Sequence, residues 1–157
     1  MDSQDVEKAK IAAYRLLKYR SRSEKELAKR LKRKKFSRPV INKVIVYLKR
    51  LSLVNDEEFT REWIQQRLNK GYWFIRIRRE LKAKGISDKL INKYILRFKD
   101  KTESGSVIRQ LARRRIRRYT DRPESEIKRK VGAYLCRRGF AVQDVYWSLD
   151  DIDYENS

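Results

Sequence analysis

No histidine occurs among the 157 residues, and there are only one cysteine, one methionine, two prolines and five glycines. Each shortage closes off a class of chemistry. Without imidazole the one side chain whose unperturbed pKa lies near neutrality is missing, so general acid–base work would fall to carboxylates or lysine. The usual zinc ligand sets cannot be assembled from a lone Cys136, and no internal disulfide can form. Cys136 directly follows the apolar Leu135 and reads as a packed, inert thiol. So few glycines leave little room for a phosphate-cradling loop, and no GxGxxG, Walker or nucleophile-elbow motif is present. No catalytic residue, metal or cofactor is therefore expected. Long apolar runs are missing as well: no stretch approaches the roughly 20 residues a membrane span requires. The first residues, with Asp2, Asp5 and Glu7, do not have the basic-then-apolar layout of a signal peptide. A cytoplasmic protein with no membrane partner is expected.

Acids are scarce too. Against 42 Lys+Arg stand 21 Asp+Glu, a formal net charge of +21, while 40% of residues are hydrophobic. That apolar share suffices for a core, and the charge predicts an anionic partner reached through long-range attraction, nucleic acid first.

One apolar phrase recurs three times. Its anchors are Phe36, Ile86 and Phe140, spaced by 50 and 54 positions. Ahead of the anchors lie Leu27 and Leu31, Ile77 and Leu81, Val131 and Leu135; after them come Ile41, Ile45 and Leu48, then Ile91, Ile95 and Phe98, then Val145, Leu149 and Ile152. A period of this length marks tandem helical units, so the fold class is all-α.

Local signals mark the helices. Helical spacing of Ile11, Tyr14 and Leu17 predicts a first helix from about residue 4 to 19. Ser23 with Glu26 forms a capping box, and Ser37 with Pro39 opens the next helix. Asn55 and Asp56 begin another, in which Phe59, Trp63, Ile64 and Leu68 are the apolar members, and Gly71 closes it. Further helices are predicted near 73–84, 87–100, 107–119, 124–138 and 142–151. The stretch 101–106 reads as a linker and the acidic 150–157 as a frayed tail. The repeats are then 1–52, 53–103 and 104–157.

The central copy, Lys70-Gly71-Tyr72-Trp73-Phe74-Ile75-Arg76-Ile77-Arg78-Arg79-Glu80-Leu81-Lys82-Ala83-Lys84-Gly85-Ile86-Ser87, resembles the signature of the RecX family, regulators of the bacterial RecA recombinase. Weaker echoes are Ser23-Glu24-Lys25-Glu26-Leu27, Leu53 to Phe59, and Tyr134 to Phe140. One departure is Trp73-Phe74, where many members carry Gly-Pro. The resemblance implies three tandem three-helix repeats in an elongated, curved, solenoid-like molecule. It also implies a non-catalytic role in homologous recombination, DNA repair and the SOS response. Such proteins bind the groove of the RecA filament and restrain ATP hydrolysis, strand exchange and coprotease activity. The partners implied are the RecA filament and single-stranded DNA, with double-stranded DNA second; a monomer is expected.

Helical geometry nominates the contact residues. With Ile77 and Leu81 facing inward, Arg76 and Arg79 lie opposite and Arg78 and Lys82 on the flanks. In the basic helix from Val107, the stripe Ile108, Leu111, Ala112, Ile116 and Tyr119 leaves Arg113, Arg114 and Arg117 outward, with Arg109 and Arg118 at the edges. Arg115 falls within the apolar arc, either snorkelling along its stem or entering a concave surface to meet a phosphate or carboxylate. Lys70, Tyr72 and Trp73 border the signature helix. For the two aromatics, stacking on bases and packing between repeats are equal readings. Trp63 reads as core, and Trp147 is undecided. Two further readings stand beside this one. Charge alone fits a general DNA- or RNA-binding helical array equally well. A magnesium-dependent nuclease using Asp56 and Glu57 is the most distant, because acids in a first turn already stabilise the helix dipole by ~0.3–1 kcal/mol each.

Overall fold

The computed structural model describes residues 2–119 and 121–152. Among these the chain forms nine α-helices and no strand: α1 (Asp2–Tyr19), α2 (Glu24–Arg33), α3 (Arg38–Arg50), α4 (Asp56–Asn69), α5 (Phe74–Ala83), α6 (Asp88–Lys99), α7 (Ser104–Ile116), α8 (Glu124–Arg138) and α9 (Val142–Asp150). The architecture is an all-α tandem repeat. Of the eighteen positions in the recurring phrase, all are buried except Phe36 and Phe98, which are half-buried.

Two compact units divide the chain, and the division runs through the middle repeat. One gathers the residues up to Glu62 with Leu81–Ile91; the other holds Trp63–Glu80 and the described residues from Asn92 onward. In the first unit Ala9 and Ala13 of α1 pack with Leu27, Leu31, Val40, Ile41, Val44, Ile45, Leu48 and Val54. In the second, α7 packs against α8 and α9, burying Ile108, Ala112 and Ile116 along with Val131, Leu135, Val145 and Leu149.

The anchor of the phrase has a structural cause. The amides of Phe36, Ile86 and Phe140 each donate to the carbonyl five residues earlier, on Leu31, Leu81 and Leu135, at 3.4, 3.1 and 3.4 Å. This is the Schellman closure, in which the residue before the anchor adopts the left-handed conformation and the anchor side chain covers the last turn. That preceding residue is Lys35, Gly85 or Gly139, with φ of 67°, 83° and 101°.

Glycine is used where a second element docks. In the first unit the end of α5 meets the start of α2: the Ser23 hydroxyl donates to the Lys84 carbonyl at 2.6 Å, and a Cβ at Gly85 would lie 2.6 Å from Lys25 Cβ. In the second unit the end of α8 meets the start of α5. There Trp73 N–H donates to the Arg138 carbonyl at 2.7 Å and Ile75 N–H to that of Gly139 at 3.2 Å. Orphan donors of a helix start and carbonyls of a helix end thus satisfy one another. A Cβ at Gly139 would fall 2.6 Å from the Arg76 backbone nitrogen. Lys35, at the corresponding position of the first repeat, is exposed, and there a side chain is tolerated.

Several local expectations are revised. Ser104 to Ser106, read as linker, are the first turn of α7, consistent with small polar residues favouring helix starts. That helix ends at Ile116, short of Tyr119. Ser37 occupies its N-cap position with Pro39 in the first turn, but its side chain makes no capping bond. The capping box is complete: Ser23 Oγ accepts from Glu26 N–H at 3.2 Å and Glu26 accepts from Ser23 N–H at 3.4 Å. Of the acidic stretch, Asp150 ends α9 and its carboxylate pairs with Lys128, while 153–157 lie outside the described residues.

Candidate functional site

Helix α7 carries four arginines and no acid, and Arg117 and Arg118 follow its end directly. Ile108, Ala112 and Ile116, four residues apart, fix its buried side. Arg113, Arg114, Arg117 and Arg118 are exposed and Arg109 is half-buried, and among the described residues none of the five has a carboxylate within ion-pairing distance. Arg115 does not reach clear of the surface. Its guanidinium lies 4.8 Å from the Tyr134 ring centre and 5.8 Å from that of Tyr119, and its Nε is buried without a hydrogen-bond partner.

Beside Arg115 opens a cleft of about 530 Å³ formed by the end of α4, one side of α7 and the outer side of α8. Leu68, Val107 and Leu111 form its apolar wall, and Tyr134 lines it too; Lys70, Arg114, Arg115, Arg118 and Arg138 supply charge of one sign only. Arg138 is held in place. Its Nη1 donates to the Lys70 carbonyl at 2.6 Å, a cation at a helix C-terminus, and its guanidinium lies 4.9 Å from the Tyr134 ring and 5.0 Å from that of Tyr72. The turn at Gly71, φ 73°, allows this, since a Cβ there would stand 2.9 Å from Arg138 Nη1. Arginines laid on tyrosine faces lose side-chain freedom before any ligand arrives, leaving their N–H edges for a planar anion.

The signature helix divides its cations differently from the wheel. Glu80 gathers three donors: Trp63 Nε1 at 3.0 Å, Arg67 Nε at 2.6 Å and Arg76 Nε at 3.1 Å. Arg76 also donates to the Arg137 carbonyl at 3.2 Å and stacks on Tyr72, 4.2 Å from its centre. It is a joint residue, half-buried, and the expectation of an outward cation is corrected. Arg78 is tied to Asn92 Oδ1 at 2.6 Å, and Lys82 to Asp88 at 2.9 Å. Arg79 alone of the four is exposed with no partner among the described residues.

The aromatic alternatives are resolved by burial. Trp73 is 7% exposed, stacked on Phe140 with ring centres 4.7 Å apart and tilted against Phe74 at 5.0 Å. It packs, and a base cannot reach it. Tyr72 is half-buried with guanidinium groups of Arg67, Arg76 and Arg138 over its ring. Trp63, expected in the core, is half-buried with its indole N–H on Glu80. Trp147 is 76% exposed.

The acidic residues have structural posts. Asn55 Oδ1 accepts from the Glu57 and Glu58 amides, as its capping role predicts. Asp56 caps a different helix: its Oδ1 accepts from the Glu24 amide at the start of α2 at 2.8 Å, and burial pushes its carboxyl above the ordinary range. Glu26 behaves oppositely. Burial would raise it, but the Arg20 guanidinium at 2.9 Å and the Lys84 ammonium at 2.8 Å together outweigh that and hold it at about 2.

Sequence reasoning gave Glu80 as a local partner for the cations of the signature helix, but assigned no site role to Tyr134, Arg138 or Arg67. Tyr134 and Arg138 stand four apart on α8, and that pairing of an aromatic with an arginine on one side of a basic helix was the available signal.

Comparison with known proteins agrees with this architecture. Models of the first, second and third RecX three-helix domains match residues 9–48, 55–95 and 105–146. The regulatory protein RecX of Clostridium acetobutylicum is 28% identical over 152 residues, covering 95% of this chain and 71% of that protein. Its counterpart from Bacillus subtilis is 30% identical over 153 residues, and here the chain spans 97% of its own length but 58% of the relative. The crystal structure of RecX from Lactobacillus salivarius superposes with a TM-score of 0.79 at 24% identity, covering 96% of this chain and 99% of that one, a likeness of fold. With three domain models matched in order along most of its length, the chain belongs to the RecX family of regulatory proteins.

Proposed function

We propose that this protein is a cytoplasmic, non-catalytic modulator of the RecA recombinase, binding as a monomer in the groove of the RecA–DNA filament. It restrains ATP hydrolysis, strand exchange and coprotease activity there. The repeats 1–52, 53–103 and 104–157 engage successive features of the filament. The unpaired cations of α7, with Lys70, Arg79 and Arg115, meet phosphate and acidic RecA side chains. The observation that carries the reading is the row Arg109, Arg113, Arg114, Arg117 and Arg118, without carboxylate partners among the described residues, along a packed helix and the turn that ends it. So many like charges on one helix repel, and an anion that neutralises them repays the strain. Regulation follows from differential affinity, since a ligand shifts a filament equilibrium only by binding one state better than another.

The test is RecA-dependent ATP hydrolysis on single-stranded DNA with and without this protein in low salt. A fall in rate is expected; no change at saturating protein refutes the proposal. A second measurement compares binding to bare single-stranded DNA with binding to RecA-coated DNA at physiological salt. Preference for the filament is expected, and equal affinity selects a general nucleic-acid binder instead.

A further inference from the structure

We infer that the cleft between α4, α7 and α8 is a binding site for an oligophosphate group; it shares Arg114 and Arg118 with the arginine row, and its test does not involve RecA. Its charge is all of one sign. Lys70, Arg114, Arg115, Arg118 and Arg138 line it, and no carboxylate among the described residues does. A single phosphodiester or a protein carboxylate would leave most of these cations uncompensated, whereas two or three linked phosphates concentrate several negative charges in the same space. The size agrees: about 530 Å³ falls within the roughly 300–1,000 Å³ of small-molecule sites.

Two features indicate a place prepared for an acceptor. Arg115 Nε is buried and unpartnered, a donor that lacks its oxygen. The guanidinium groups of Arg115 and Arg138 lie over the Tyr134 ring, 4.8 and 4.9 Å from its centre, so both are held near the cleft before a ligand arrives. The apolar wall of Leu68, Val107 and Leu111 sits beside this charge and suits the sugar and base of a nucleotide. Two sources carry that chemistry: a free nucleoside triphosphate, and consecutive phosphates of a single strand.

The experiment titrates the full chain at about 0.15 M salt with tripolyphosphate, ATP and single-stranded decathymidylate, with adenosine as the phosphate-free arm. Two double variants remove equal charge from exposed positions. Lys70→Gln/Arg118→Gln strips the cleft; Arg113→Gln/Arg117→Gln strips the outer row. Saturable one-to-one binding of tripolyphosphate is expected, weakened at least about tenfold by the cleft variant and less than about threefold by the outer one. ATP showing the same pattern identifies the free nucleotide as the source. Decathymidylate showing it, displaceable by tripolyphosphate while ATP fails to saturate, identifies the strand. Equal losses from the two variants, adenosine binding as tightly as ATP, or no saturation by any phosphate ligand overturns the inference. Because RecA is absent throughout, failure here leaves the filament reading to its own test.

Discussion

Gly139 and Lys35 occupy the same place in their repeats, and substitutions there should act with opposite sign. At Gly139, alanine meets two penalties. A left-handed φ of 101° costs a residue with a side chain roughly 1–2 kcal/mol. The new Cβ would also stand 2.6 Å from the Arg76 nitrogen and 2.7 Å from the Trp73 carbonyl, both backbone atoms that no rotamer change can clear. The helix ends must separate, which strains the bonds from Trp73 N–H to the Arg138 carbonyl at 2.7 Å and from Ile75 N–H to the Gly139 carbonyl at 3.2 Å. Leaving a buried donor unsatisfied costs about 1–3 kcal/mol. Gly139→Ala should therefore destabilise by about 3–5 kcal/mol when strain and one lost bond are combined. Lys35→Gly relieves the same conformational strain with no joint to protect, against an entropy cost of about 0.5–1 kcal/mol, and should stabilise by up to about 1 kcal/mol. Urea unfolding of both variants reads the difference through the midpoint. A loss below about 1 kcal/mol for Gly139→Ala, or a loss for Lys35→Gly, would refute the docking explanation of these glycines.

Three other outcomes are expected. Trp73→Ala should cost about 3–5 kcal/mol of stability, as large aromatic deletions do, while the folded fraction keeps its affinity for RecA filaments; binding lost at full folding would mean the indole touches the partner. Glu80→Gln removes the charge that gathers Trp63, Arg67 and Arg76, so it should lower the urea midpoint and shift the tryptophan emission; an unchanged spectrum and midpoint would deny the cluster any structural role. For Glu26, the folded carboxyl sits at about 2, below its ordinary value of 4.5, so its stabilisation is present above 4.5 and fades as pH falls from there toward 2. That window should flatten in Glu26→Gln. Asp56, raised by burial, works against it, since its protonated form is the one the fold favours; a stability profile identical to wild type for Glu26→Gln between about pH 5 and 2 would contradict the assignment.

Much of the fold was legible because it rests on local rules. Leu27 and Leu31, or Ile77 and Leu81, stand four apart and share one side of a helix, and the anchors five positions on are demanded by the Schellman closure that ends it. Ser23 with Glu26 and Asn55 at its cap are likewise decided within three residues of chain. The start of α7 was misread for the same reason in reverse. Ser104, Gly105 and Ser106 are as common in linkers as in first turns, and what decides between them is the packing of Ile108 further on.

The candidate site was less legible, and Arg76 shows why. A helical wheel knows one buried side, the one marked by Ile77 and Leu81, and it places Arg76 opposite, facing solvent. In a tandem array a middle helix serves two neighbours. The start of α5 meets the end of α8, so the direction that the wheel assigns to water holds the Arg137 carbonyl, with Glu80 and Tyr72 close by. The last repeat escapes this. Arg113 on α7 and Arg117 just past its end were placed outward by the same wheel and stand exposed. A basic residue at the contact of α5 with α8 is therefore consumed by that contact, and those on the exposed side of α7 remain available. The arginines of α7 then have a use beyond composition: Arg113 and Arg114 lie on a side of the helix that stays exposed and is left for a partner.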